Sequence, residues 1–111
     1  MDTETIHNET SMKIAQLNDV ARSNAANYMA TRGIMSLDEV TISDIFVVVQ
    51  DFNKFTEDND PYGEHDFGSL KVAGEKVFWK IDYYDENLKN WCDPLDPDCQ
   101  RVLTIMLAEE Y

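Results

Sequence analysis

Basic side chains are scarce in this sequence. Nine Lys and Arg stand against 22 Asp and Glu, which gives a formal net charge of −13. Affinity for nucleic acid comes largely from neutralising phosphates with Lys and Arg, and here these residues are scattered singly. We therefore expect no direct binding to nucleic acid. Anionic membranes are disfavoured for the same reason.

Long apolar runs and cysteines are also few. No apolar run approaches the roughly 20 residues that a bilayer-spanning helix needs. The first ten residues are polar and acidic, unlike the basic start and apolar middle of a signal peptide, so we expect a cytoplasmic protein without a membrane partner. Only Cys92 and Cys99 are present, and in a reducing compartment two free thiols are favoured over a disulfide.

The residues that are present suffice for one domain. The chain has 111 residues, of which 43% are hydrophobic, and this length fits a single ordinary domain. A domain of this size folds without disulfides or a structural metal. Residues 1–11 lack a periodic apolar pattern and are predicted to form a flexible acidic tail before a single α+β domain at 12–111.

Two segments have helical periodicity. In the first, Ile14, Leu17 and Ala21 share one stripe, Ser11 is the expected N-cap, and the helix is predicted to end near Ser23 or Asn24. The second is predicted to start at 36–39, with Ser36 as its N-cap or with a turn that leads into the helix, and to run to about residue 53. Its apolar residues recur at intervals of three and four, at Ile42, Ile45, Phe46, Val49 and Phe52.

Four segments are predicted to be strands. A short strand at 27–33 is followed, after the second helix, by strands at 66–72 and 76–84 that a Gly-containing hairpin joins. A last, inner strand covers 101–108. Within 76–84, the alternating side chains of Val77, Trp79, Ile81 and Tyr83 are assigned to the core. The predicted fold is α+β, with one antiparallel sheet of about four strands and two helices packed on one face.

Residues 57–66 combine five carboxylates with one histidine. As a calcium loop, Asp58, Asp60 and Gly63 occupy the first, third and sixth positions, but the later donors are missing. A metal-assisted hydrolase or small-ligand and metal-binding domain would be centred on Asp58, Asp60, Glu64, His65 and Asp66. The loop would instead serve folding alone if its Asp side chains bond local amides. No sequence motif for phosphate binding or nucleophilic catalysis is present, so a non-enzymatic protein without a cofactor is favoured.

Several stretches resemble a known bacterial family, the domain of unknown function numbered 3768. They are 31–33, 55–68, 79–85, 93–97 and 101–108, and the resemblance covers about residues 13 to 111. It implies a small protein of a kind often carried on plasmids and phages of proteobacteria, with no established activity. The sequence differs from the usual pattern at 23–29 and in carrying Cys92 and Cys99, so the resemblance implies no thiol chemistry.

Our leading hypothesis is a protein-binding domain whose carboxylates engage a basic partner. Such a protein imitates DNA, and the expected partner is a nucleic-acid-binding complex of a bacterial defence system, which makes the chain an anti-CRISPR or anti-restriction inhibitor. The candidate contact residues are Glu57, Asp58, Asp60, Glu64, Asp66, Asp82, Tyr84, Asp85, Glu86, Asp93, Asp96 and Asp98. The hypothesis requires these charges to be gathered in one patch.

Overall fold

A first helix, α1, spans Thr3–Arg22 in the computed structural model, which describes residues 3–111 and the side chains from residue 9 onward. The helix ends where the sequence predicted. It begins earlier, however, so the N-cap predicted at Ser11 is wrong, and α1 includes residues 3–11 of the segment predicted to be a flexible tail. No Pro or Gly occurs before Gly33, so nothing in the sequence interrupts the helix.

The buried stripe of α1 differs from the predicted one. Ile14 and Ala15 are buried, whereas the side chain of Leu17 is 44% exposed. Asn18 and Arg22 continue the buried stripe towards the end of the helix. The prediction for Leu17 is therefore wrong, because the buried residues at this end of α1, Asn18 and Arg22, are polar and the apolar pattern does not mark them.

The segment after α1 forms short elements. A 3-10 turn at Ala25–Asn27 precedes strand β1, Met29–Ala30, and a one-turn helix α2, Arg32–Met35. The strand predicted at 27–33 is thus present but only two residues long. It ends early because the Thr31 hydroxyl oxygen accepts a hydrogen bond from the Ile34 N–H (3.4 Å) and so caps α2.

Helix α3 spans Glu39–Gln50. Its N-cap is Asp38, whose Oδ1 accepts the Thr41 N–H at 2.8 Å. The cap predicted at Ser36 is wrong, since this residue ends α2 and its hydroxyl donates to the Gly33 carbonyl at 2.7 Å. The apolar face is as predicted, with Ile45 and Val49 fully buried.

The sheet contains β2 (Phe67–Val72), β3 (Glu75–Tyr84) and β4 (Gln100–Leu107) in addition to β1. The strand order is β1-β4-β3-β2, so β4 is an inner strand, as predicted. Strands β2, β3 and β4 are antiparallel neighbours, whereas β1 runs parallel to β4 and makes the sheet mixed. Ala73 and Gly74 join β2 to β3 with φ of 52° and 82°, which is the backbone of a tight hairpin turn. A final 3-10 turn covers Ala108–Glu110.

Helices α1 and α3 lie on the same face of the sheet. Ile45 and Val49 of α3 belong to the core cluster that contains Val77 and Trp79 of β3. The Arg22 guanidinium of α1 lies 5.3 Å from the centroid of the Trp79 ring. The predicted α+β fold with two helices on one face is confirmed. No helix within residues 3–111 has the length and apolarity that crossing a membrane requires.

Candidate functional site

A buried asparagine joins α1 to the sheet and to both acidic loops. The Asn18 side chain is fully buried, and its Nδ2 donates to the Glu64 carbonyl (2.9 Å) and to the Tyr83 hydroxyl (2.8 Å). Its Oδ1 accepts from Arg101 Nε (2.6 Å), and Arg101 also donates to the Pro94 carbonyl (2.5 Å). This chain of hydrogen bonds connects the loop before β2 to the loop between β3 and β4.

The Asp60 carboxylate organises the loop before β2 from the inside. It is buried, and its Oδ1 accepts the backbone N–H groups of Glu64 (3.0 Å) and His65 (3.2 Å). Gly63 and His65 both have positive φ, which for a histidine is a costly conformation. The hydrogen bonds to Asp60 stabilise this strained backbone.

The His65 side chain connects the same loop to α1. Its Nδ1 lies 2.9 Å from Asp19 Oδ1, and its ring stacks on Phe55 with centroids 3.8 Å apart. An ionised carboxylate only accepts hydrogen bonds, so Nδ1 carries the proton in this contact. The other ring nitrogen, Nε2, lies 3.8 Å from Asp60 Oδ2. The imidazole thus lies between two carboxylates from different parts of the chain.

Arg22 brings a buried cation to this network. Its guanidinium donates to Asp19 Oδ1 (3.0 Å) and to the Phe52 carbonyl (3.1 Å), and it packs near the rings of Phe55 and Trp79. Within the described residues, its Nε and the Trp79 Nε1 are buried donors without a hydrogen-bond partner. The contacts with the Phe52 carbonyl and the Phe55 ring fix α1 against the segment that follows α3, and the cation–π contact with Trp79 fixes it against the sheet.

Two acidic groups in the network, Asp66 and Tyr83, have raised pKa values. Burial raises the pKa of Asp66, and the nearby Asp60 charge raises it further. Burial also raises the pKa of Tyr83, whose hydroxyl donates to Asp66 Oδ2 at 3.4 Å. These groups are half-buried and bonded to each other, so they connect the start of β2 to the end of β3.

The five residues of the metal hypothesis are divided between the interior and the surface. Asp60 is buried, Glu64, His65 and Asp66 are half-buried, and Asp58 is exposed. Within the part of the chain that the structure describes, no three His, Cys, Asp or Glu side chains are placed to hold one metal ion. The Asp60 oxygens are occupied by backbone N–H groups, as expected if the loop serves folding.

The sheet topology places two acidic loops at one end. Residues 57–66 lead into β2 at Phe67, which pairs with Lys80 near the end of β3. Residues 85–98 leave β3 at Tyr84 and enter β4 at Gln100, its cross-strand partner. We define these two loops as the acidic end. Each loop contains five carboxylates, and Lys89 is their only Lys or Arg.

Most of the predicted contact residues on the acidic end face solvent. The exposed carboxylates are Glu57, Asp58, Glu86, Asp93, Asp96 and Asp98. Glu64, Asp66 and Asp85 are half-buried. Asp60 is buried and belongs to the interior of the loop. Asp82 and Tyr84 lie on β3, where Asp82 forms an ion pair with Lys80 at 3.0 Å and Tyr84 is half-buried.

Aspartate side chains also hold the backbone of the second loop. Asp85 accepts the N–H groups of Asn87 and Lys89, and hydrogen bonding, first of all from Lys89, lowers its pKa. Asp93 accepts the Leu95 N–H at 2.8 Å, and Asp96 accepts the Asp98 N–H at 2.8 Å. These local turns hold the loop in one conformation.

Exposed apolar side chains accompany the carboxylates. Trp91 is 70% exposed and Tyr62 is 65% exposed, one in each loop of the acidic end. Leu88 and Leu95 are exposed beside Trp91 in the sequence. Tyr and Trp are enriched in the centres of protein interfaces. Sequence analysis missed these two aromatics, although a Trp and a Tyr among polar loop residues are a usable signal.

The cysteines lie in the second loop and are free thiols. Burial is the largest cause that raises the pKa of both Cys92 and Cys99, and the charge of Asp96 raises it further for each. Both thiols are therefore protonated at neutral pH.

A family match covers most of the chain. The family described as "Protein of unknown function (DUF3768)" matches residues 30–110. Because this is more than half of the 111 residues, the chain belongs to that family. No curated protein and no solved structure matches the chain. The matched segment contains both loops of the acidic end, whereas α1, which supplies Asn18 and Arg22, precedes it.

Proposed function

We propose that this chain is a protein-binding domain whose acidic end docks on a basic surface of a partner protein. The observation that supports the proposal is the meeting of the two acidic loops at one end of the sheet, with ten carboxylates and one lysine. Single exposed ion pairs contribute only about 0–1 kcal/mol. The electrostatic field of many clustered carboxylates acts differently, because it raises the rate of association with a basic partner roughly 10- to 1000-fold.

The side chains of the acidic end suit a specific contact. Aspartate turns hold the backbone of the second loop, and the Asp60 and Asn18 hydrogen bonds hold the first. Preorganised loops lose little conformational freedom on binding, which leaves more of the interaction energy for affinity. Trp91 and Tyr62 supply apolar anchors between the charges.

The finer proposal is DNA mimicry. A protein that binds duplex DNA presents Lys and Arg to phosphates, and a fixed group of carboxylates fits the same groups. A nucleic-acid-binding protein of a bacterial defence system is the partner we propose. The occurrence of similar proteins on plasmids and phages, which the family resemblance implies, supports an inhibitor of that kind.

The test is capture of partners from a DNase-treated lysate of the bacterial host by the immobilised chain. Replacing Asp93, Asp96 and Asp98 with Asn removes three charges and keeps the side-chain oxygens that form the turns. The matched control replaces Glu39 and Glu109 with Gln and Asp44 with Asn, three exposed carboxylates outside the acidic end. Both variants have the same net charge, so only the position of the lost charge differs.

We expect the wild type and the control to capture the same basic protein, and the acidic-end variant to lose it. Capture should also fall as salt rises, because screening weakens interactions between exposed charges. A DNA-mimicking contact predicts that duplex DNA displaces the chain from the captured protein. Equal capture by both variants would refute the role of the acidic end, and capture that duplex DNA leaves intact would refute the mimicry alone.

A further inference from the structure

Strand β2 has a free edge. It is the last strand in the order β1-β4-β3-β2, so only one of its sides is paired. The Ile81 N–H donates to the Asp66 carbonyl at 2.8 Å, which makes 66 and 81 a hydrogen-bonded pair. Hydrogen bonding alternates along an antiparallel pair, so the N–H and C=O groups of Phe67, Ser69 and Lys71 point away from β3.

A groove runs between this edge and helix α3. Its volume is about 290 Å³, close to the lower limit of small-ligand sites. Its apolar lining comes from Val47, Val48, Phe52 and Leu70. Val47 is 53% exposed and Val48 is 38% exposed, so the α3 side of the groove presents apolar surface to solvent.

The charge of the groove is opposite to that of the whole chain. Lys54 and Lys71 line it, and Asp51 is the one acidic residue there. In the described residues, neither lysine forms an ion pair. In a chain with a net charge of −13, two lysines without carboxylate partners favour an anionic occupant.

We infer that this groove binds an extended, acidic peptide segment of a partner protein. The segment adds a strand to β2 through the outward N–H and C=O groups of Phe67, Ser69 and Lys71. One of its alternating side chains fills the apolar groove, and a carboxylate lies near Lys54 or Lys71. A second copy of the chain is a poorer occupant, because two copies of charge −13 repel each other. The inference does not depend on the proposed function of the acidic end.

The experiment is selection of random heptapeptides displayed on phage against the immobilised full chain. We expect the selected peptides to alternate apolar residues with Asp or Glu. Synthetic copies, titrated while backbone amide signals are followed by NMR, should shift the amides of Ser69 and Lys71 and leave those of residues 85–98 unchanged. Failure to enrich such peptides, or shifts confined to the acidic end, would overturn the inference.

Edge-blocking variants make the test specific. Ser69→Pro removes an N–H that no other strand uses and should weaken peptide binding at least tenfold, whereas Ser69→Thr, which keeps that N–H, should bind like the wild type. Val47→Asp on α3 provides a second variant that leaves β2 unaltered, and it should also weaken binding at least tenfold. Equal binding by Val47→Asp and wild type would refute the groove. If the chain forms concentration-dependent dimers and Ser69→Pro abolishes them, the occupant of the groove is a second copy of the chain and not a peptide of a partner.

Discussion

Replacing Asn18 with alanine tests whether α1 is an integral part of the domain, although it precedes the segment that the family match covers. The change removes two donated hydrogen bonds, to Glu64 and Tyr83, and one accepted from the charged Arg101. At about 1 kcal/mol for each of the two donated bonds and somewhat more for the charged one, the expected loss is about 3 kcal/mol. For a domain of this length, that corresponds to a decrease in melting temperature of about 12 °C.

The assay is urea unfolding followed by circular dichroism, with Gln16→Ala as the control. Gln16 is exposed on the same helix, so its replacement changes helix propensity by a similar small amount and breaks none of these contacts. The free energies of unfolding of the two variants should therefore differ by about 3 kcal/mol. A loss below about 1 kcal/mol, or equal losses in both variants, would show that the Asn18 hydrogen bonds do not anchor α1.

Three further replacements test other contacts. In Gly68→Ala, the new Cβ would lie 2.3 Å from Trp79 Nε1 and 2.9 Å from Phe52 Cζ. Overpacking should therefore lower the free energy of unfolding, measured in urea, by about 2 kcal/mol. An unchanged unfolding midpoint would refute the close approach. His65→Ala removes the contact to Asp19 and should lower the free energy of unfolding by about 1 kcal/mol. Partner capture by this variant should persist. Loss of capture by a folded variant would contradict a purely structural role of His65. The pKa of Asp66 is higher in the folded state than in the unfolded state, so protonated Asp66 stabilises the fold at pH values below its unfolded-state pKa. This stabilisation is lost as the pH rises through the folded-state pKa. Asp66→Asn should therefore stabilise the domain at pH 7 and have little effect at acidic pH, and equal effects at both pH values in urea unfolding would contradict this assignment.

Sequence analysis predicted the helices and strands whose hydrophobic periodicity is visible within their own residues. The alternation of Val77, Trp79 and Ile81 identifies the buried face of β3, and the apolar period identifies the buried face of α3. Helix starts were harder to predict. Ser36 and Asp38 are both good N-caps by residue type, and the choice depends on Ser36 ending the preceding α2, which local sequence does not indicate.

The candidate site was predicted only in part. Sequence analysis identified Asp60 and His65 from the density of ligand-type residues in one loop. It did not predict the partner of His65 on α1, because Asp19 and His65 are 46 positions apart and a search for an apolar stripe treats polar residues as outward-facing. A usable signal was present nonetheless, since Asn18 and Arg22 continue the stripe of Ile14 and Ala15 at helical spacing.

The gathering of charge could not be predicted from residue types either. Two acidic loops separated by β2 and β3 meet only because the two strands form a hairpin and β4 returns beside β3. The individual roles of the carboxylates also depend on tertiary structure. Asp60 points into the loop and binds amides, whereas Glu57 and Asp58 in the same loop are exposed.

The two proposed surfaces should respond differently to salt. Ser69, at the centre of the β2 edge, pairs with Phe78, which lies six residues before the end of β3 at Tyr84. At about 3.3 Å per residue, Ser69 lies about 20 Å from the loop 85–98 and about 10 Å from Asp66, the last residue of the loop 57–66. The first distance exceeds two Debye lengths at physiological ionic strength, about 8 Å each, and the second exceeds one. Screening therefore weakens the negative field of the acidic end at the groove, where Lys54 and Lys71 attract an acidic peptide. Because main-chain hydrogen bonds and apolar contacts hold the peptide, its binding should weaken less with added salt than capture by the acidic end.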